Sequence, residues 1–135
     1  MLFRSLLVAC SAAAFAQADY PNRPIRLIIP FPAGGSNDIV GRAIAMQMSE
    51  KLGKQVVVDN RTGAGGVVGV EAAAKSPADG YTVVVGSSTT MAANIFLYQN
   101  LPFDPPKDFV PLAMIGTIDF GITVPATMPA NTLKE

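Results

Sequence analysis

Three times in succession the chain runs a short apolar stretch into a turn of small residues and out into a helical pattern. The passages are Ile25–Val40, Gln55–Ser76 and Tyr81–Tyr98. Strands that alternate with helices at this spacing are joined by right-handed crossovers, which makes the expected fold an α/β parallel sheet with flanking helices. Crossovers of one hand also bring the three turns to one edge, at the carboxyl ends of the strands, where open sheets of this class bind ligands. Each turn opens a helix, and the first amides of a helix lack intrahelical partners and can point at an anion. The pattern therefore predicts binding at a row of backbone donors.

Along the chain, Tyr20–Pro24 reads as an extended lead-in, because Pro21 and Pro24 hold their neighbours out of helix. Ile25–Phe31 is apolar on both faces apart from Arg26, as a buried parallel strand should be. Ser36 or Asn37 is the expected N-cap of the first helix. Apolar residues at 39, 40, 43, 44, 48 and 52 give that helix its predicted buried stripe, and Gly53 is placed to end it. Gln55–Asp59 and Tyr81–Val85 are the second and third strands, Val67–Lys75 the second helix, and Met46, Met48 and Met91 core fillers. From Asn100 the texture changes, and Leu101–Pro111 carries four prolines, which predicts an ordered but irregular connector. Leu112–Val124 is apolar and expected to be extended. Thr132-Leu133-Lys134-Glu135 spells a capping box, the signature of a helix about to start, and so suggests a fragment.

Composition narrows the function. Ten basic residues balance ten acidic ones, which argues against nucleic acid or an anionic membrane surface as partner. The absence of His removes the Ser-His-Asp triad and His-ligated metal sites, and Cys10 is the only cysteine. Residues 1–18 read as a signal peptide, with a basic start, an apolar stretch and a small-residue cleavage site at Ala16-Gln17-Ala18, so the mature chain is expected to begin at Asp19. The rival reading of Leu7–Cys10 as a lipobox leaves only about five apolar residues before cleavage, against about 7–15 in such segments.

Within the first turn, Gly34 and Gly35 allow close backbone approach, and the amides of residues 35–38 are candidate donors to a carboxylate. Asp38 either complements the helix dipole or sets negative charge beside those donors. The second turn, Asn60–Gly69, contains Gly63-x-Gly65, but its next glycines miss the dinucleotide spacing and three residues separate the strand from the first glycine. Arg61 faces an anion, stays in solvent, or pairs with Asp59 or another neighbour. Ser87, Ser88, Thr89 and Thr90 put four hydroxyls beside the third helix start, where they serve as ligand donors or N-cap. None of these serines stands in GxSxG, so a serine hydrolase is not expected.

At these residues the chain resembles the Bug family, the periplasmic substrate-binding receptors of tripartite tricarboxylate transporters. The resemblance rests on Tyr20-Pro21-x-Arg23-Pro24-Ile25-Arg26-Leu27-Ile28, Pro30–Asp38, Val56–Gly66, Ala78–Thr82 and Leu101–Pro105, which in order and spacing cover nearly the whole mature chain. Ala33 and Thr62 stand where the family often has Pro. The resemblance implies a two-lobed, flytrap-like receptor, not an enzyme, that needs no cofactor. Its ligand, a small carboxylate, sits between the lobes on loop amides, hydroxyls and bridging waters. Carried onto this chain, Phe31, Gly34, Gly35, Ser36 and Asp38 match one binding loop, and Ser87, Ser88 and Thr89 the other. The part played by Asn60–Gly66 stays open.

It further implies a monomer in the periplasm that serves membrane permease subunits. Residues 19–110 would form the first lobe and 111–135 the crossover into a second lobe that is mostly missing. Two other readings stand beside this one: a nucleotide- or cofactor-binding enzyme domain built on the Gly63–Gly69 turn, and a non-functional truncated remnant.

Overall fold

The computed structural model describes residues 20–118, 121, 123–125 and 127–129, so the leader, Cys10, Ala18 and the capping box at 132–135 lie outside the described residues. Strand β1 (Ile25–Ile29) leads through a turn into helix α1 (Ser36–Leu52), followed by β2 (Val56–Asn60), α2 (Val67–Ala74) and β3 (Thr82–Val84). A wide π-helical turn, Thr89–Ala93, runs into α3 (Asn94–Leu97), and α4 (Pro105–Asp108) follows. The sheet order is β2-β1-β3 with both pairings parallel. Ile29 stands opposite Asn60 and Ile28 opposite Val84, so the three strands end together and their turns share one edge, as the alternation of elements predicts.

Because side chains alternate along a strand, the two faces of the sheet carry separate cores. Ile25, Leu27 and Ile29 pack with Ala45 of α1, Val56 and Val85. On the other side Val67 and Val70 of α2 pack with Phe103, joined by Val84, Met91 and Phe109. The Pro-rich connector is less irregular than its composition suggests. Proline is tolerated in the first turn of a helix, and Pro105 opens α4, while the rings of Phe103 and Phe109 meet edge to face with centroids 6.2 Å apart.

The buried face of α1 is not the predicted stripe. Asp38, Gly41 and Ala45 are the buried residues, whereas Ile39 of the stripe is 62% exposed; Met46, expected as a core filler, is 69% exposed, while Met48 and Met91 do pack against the cores. The cause is close approach: a Cβ at Gly41 would meet Ile29 Cδ1 at 2.6 Å, so the helix turns its smallest side chains toward β1. The N-cap is Gly35 rather than Ser36 or Asn37, and Gly53 ends the helix in a left-handed conformation as expected. Residues 112–118, the described start of the stretch expected to be extended, carry no regular secondary structure and are exposed. No helix among the described residues is long and apolar enough to cross a membrane.

At the other end of the sheet, the lead-in clasps the turn before β3. Tyr20 Oη donates to the Gly80 carbonyl at 2.6 Å, Arg23 pairs with Asp79 at 2.6 Å, and the Arg23 guanidinium lies 4.2 Å from the Tyr81 ring centre. Two of the segments that carry the family resemblance thus hold each other, away from the edge where the turns converge.

Candidate functional site

The first turn is held from inside by Asp38. The third residue of α1, Asp38 is buried and reaches back, so that Oδ2 accepts the Gly34 amide at 2.8 Å and Arg42 Nε at 2.9 Å, while Oδ1 accepts Asn60 Nδ2 at 2.8 Å. This back-bond ties the turn to the helix without capping the helix's own first amides. The hydrogen bonds from Arg42, Gly34 and Asn60 lower the Asp38 pKa from 3.8 to about 2. Its charge is therefore matched inside the chain by Arg42, which relieves its conflict with an anion at the helix start.

Four amides were candidate donors, and two remain free. The Gly35 amide donates to the Pro32 carbonyl at 3.3 Å and the Asp38 amide to the Gly35 carbonyl at 3.0 Å. The Ser36 and Asn37 amides have no partner among the described residues, and Ser36 is exposed. Phe31 is half-buried against the α1-side core, and its carbonyl accepts Asn60 Nδ2 at 3.1 Å.

The third turn divides its hydroxyls between structure and surface. The Ser87 amide donates to Thr90 Oγ1 at 2.9 Å and the Thr90 amide to Ser87 Oγ at 3.3 Å, a reciprocal pair of the capping-box kind. Thr90 is fully buried and also donates from Oγ1 to the Ser87 carbonyl. Ser88 and Thr89 are exposed, and their hydroxyls have no partner among the described residues. The edge thus offers Ser36 and Asn37 from one turn and Ser88 and Thr89 from another.

Between these turns lies the second. Gly63, Ala64, Gly65 and Gly66 all have positive φ, and the Gly66 amide donates to the Gly63 carbonyl at 2.9 Å. Gly66 is required twice over, by its φ of 92° and because a Cβ there would stand 2.5 Å from Thr90 Cγ2. Of the glycines that suggested a dinucleotide turn, Gly69 is packed against Pro30 and the Arg61 carbonyl. Arg61 pairs with Asp59 at 3.0 Å. Burial pushes the Asp59 carboxyl up, and hydrogen bonds from Arg26 and Arg61 outweigh it, leaving the group below its ordinary value. Among the described residues no group of three His, Cys, Asp or Glu side chains is placed to hold a metal ion.

One connecting residue, Asn94, is absent from the sequence reading, and Thr90, offered there as donor or cap, acts as the cap. Asn94 is buried and donates from Nδ2 to the Gly65 carbonyl at 3.2 Å, and Thr90 carries the Ser87 lock. The available signal was their spacing, since residues four apart share a helix face.

Residues 40–135 match the family of tripartite tricarboxylate transporter receptors, TctC. The chain belongs to this family. Among its relatives is BugT of Bordetella pertussis, 45% identical over 114 residues that make up 83% of this chain and 35% of BugT. Among solved structures, the periplasmic binding protein BugD is 38% identical, with a TM-score of 0.64 over 67% of this chain and 30% of that one. MatC from Rhodopseudomonas palustris, solved with malate bound, is 35% identical, with a TM-score of 0.69 over 71% of this chain and 33% of MatC. The TctC chain described here therefore spans about a third of the length of the relatives it matches. Its fold is that of the first lobe of such a periplasmic binding protein.

Proposed function

We propose that this chain is the first lobe of a periplasmic receptor that binds a small mono-, di- or tricarboxylate and presents it to the permease subunits of a tripartite tricarboxylate transporter. In this reading residues 1–18 direct export and are removed after Ala18, residues 19–110 form the lobe, residues 111–135 lead into a second lobe, and the receptor acts as a monomer. One observation carries the ligand class. The free amides of Ser36 and Asn37 and the free hydroxyls of Ser88 and Thr89 stand on one sheet edge, in a family that includes a malate-bound member. Amides at a helix start and hydroxyls donate to a carboxylate directly or through water, and bonds to a charged acceptor are the stronger kind.

In this reading Arg42 and Arg61 do not pair with the ligand, because they are committed to Asp38 and Asp59. Gly34 and Gly35 keep the turn narrow beside the donors, Phe31 anchors it to the core, and Asp38 and Ser87 hold the backbone that presents them. Thermal-shift and calorimetric titration with a panel of mono-, di- and tricarboxylates, malate included, tests the proposal. A rise in melting temperature with at least one carboxylate and none with nucleotides is the expected result. A folded protein that responds to nucleotides and to no carboxylate overturns it.

A further inference from the structure

We propose that the Asn60–Gly66 turn is a spacer that sets the distance between the two ligand loops without meeting the ligand itself. The proposal rests on the carboxylate reading above for which loops are the ligand loops. On one flank, Asn60 spends its side chain on the first turn. Its Nδ2 donates to Asp38 Oδ1 at 2.8 Å and to the Phe31 carbonyl at 3.1 Å, and its Oδ1 accepts Arg42 Nη2 at 2.9 Å. The Arg61 amide donates to the Ile29 carbonyl at 2.9 Å, which carries the β1–β2 ladder into the turn. On the other flank, the Gly65 carbonyl accepts Asn94 Nδ2 at 3.2 Å, and Gly66 lies against the Thr90 methyl. Thr90 in turn holds Ser87. A continuous path of side-chain and backbone contacts therefore runs from Gly34 through Asp38, Asn60, the turn itself, Gly66 and Thr90 to Ser87.

The backbone of the turn supports the same role. A strand-to-helix connection needs only about 2–6 residues of ordinary conformation. Here four successive residues adopt positive φ; three are glycines, which do so freely, whereas Ala64 at φ 47° keeps that conformation only where its surroundings impose it. What the unusual path achieves is to bring the Gly65 carbonyl to Asn94 and the bare Cα of Gly66 to Thr90. The side chain of Thr62, at the exposed crest, has no hydrogen bond among the described residues.

The test uses the full chain with amide hydrogen exchange followed by NMR without ligand, and titration with malate and the other acids of the panel. Asn60→Ala is expected to speed exchange at Gly34 and Gly35, and Asn94→Ala at Ser87 and Thr90, each by about tenfold or more. Each is expected to weaken carboxylate binding by about tenfold, because a site displaced by a fraction of an ångström binds less well. Thr62→Ala is expected to change neither. Asn60→Ser or Asn94→Ser replaces an alanine variant that does not fold. Unchanged exchange in both Asn variants overturns the spacer, as does a loss of binding in Thr62→Ala equal to theirs. If the unaltered chain binds no carboxylate, the ligand reading fails, while the exchange measurement still decides whether the turn links the two loops.

Discussion

Asp38 joins three parts of the chain through one carboxylate: the Gly34 turn, its own helix at Arg42, and the end of β2 at Asn60. Its pKa in the folded chain lies near 2, below the ordinary 3.8, so the ionised form stabilises the fold. That contribution is complete above pH 3.8 and is lost as the pH falls toward about 2. Asp38→Asn is therefore expected to be less stable than the unaltered chain at neutral pH, with the gap between them closing in acid. Urea unfolding midpoints measured across that range check this, and a gap that stays constant would show that the charge is not what matters. In the sequence Asp38 was visible as a helix-start acid. Its partner Asn60 was not, because the contact is made only when β2 returns beside β1. Local spacing carries bonds such as Ser87–Thr90, and it is silent about those between distant segments.

The elements show the same division. The strands were legible to within two residues at each end because a buried parallel strand must be apolar on both faces, and Ile25–Ile29, Val56–Asn60 and Thr82–Val84 nearly are. Helix α1 was legible in length but not in orientation. Hydrophobicity favoured Ile39 and Val40 for burial, and steric approach to Ile29 chose Gly41 and Ala45 instead. The joint between α1 and β2 was likewise hidden. Ser49 Oγ donates to the Ala45 carbonyl at 2.6 Å and accepts the amide of buried Val56 at 2.8 Å, tying the helix to the strand that follows it. Ser49→Ala leaves that amide without its partner and is expected to lower stability by about 1–3 kcal/mol in chemical denaturation. A loss below a few tenths would mean that water replaces the hydroxyl.

For the molecule as a whole, β1 is the central strand of the sheet, and Ile28 is fully buried on it. Removing its side chain to Cβ in Ile28→Ala is expected to cost about 2–5 kcal/mol, a large part of the roughly 5–15 kcal/mol that holds an ordinary domain folded. A melting curve with a markedly lower midpoint, or none, checks the prediction. The parallel sheet, the gathering of its turns at one edge and the family were all legible, since they follow from the alternation of elements and from segments spread along the chain. The central place of β1 has a kinetic consequence. The first strand of the sheet to emerge from synthesis is also the last to be enclosed: Ile25–Ile29 has no neighbour until Val56–Asn60 exists, and stays open on its other side until Thr82–Val84 arrives. Non-local parallel pairing of this sort forms slowly and leaves apolar backbone exposed to aggregation meanwhile. The yield of folded protein should thus respond to how quickly residues up to Val84 follow β1, more than to how stable the finished sheet is.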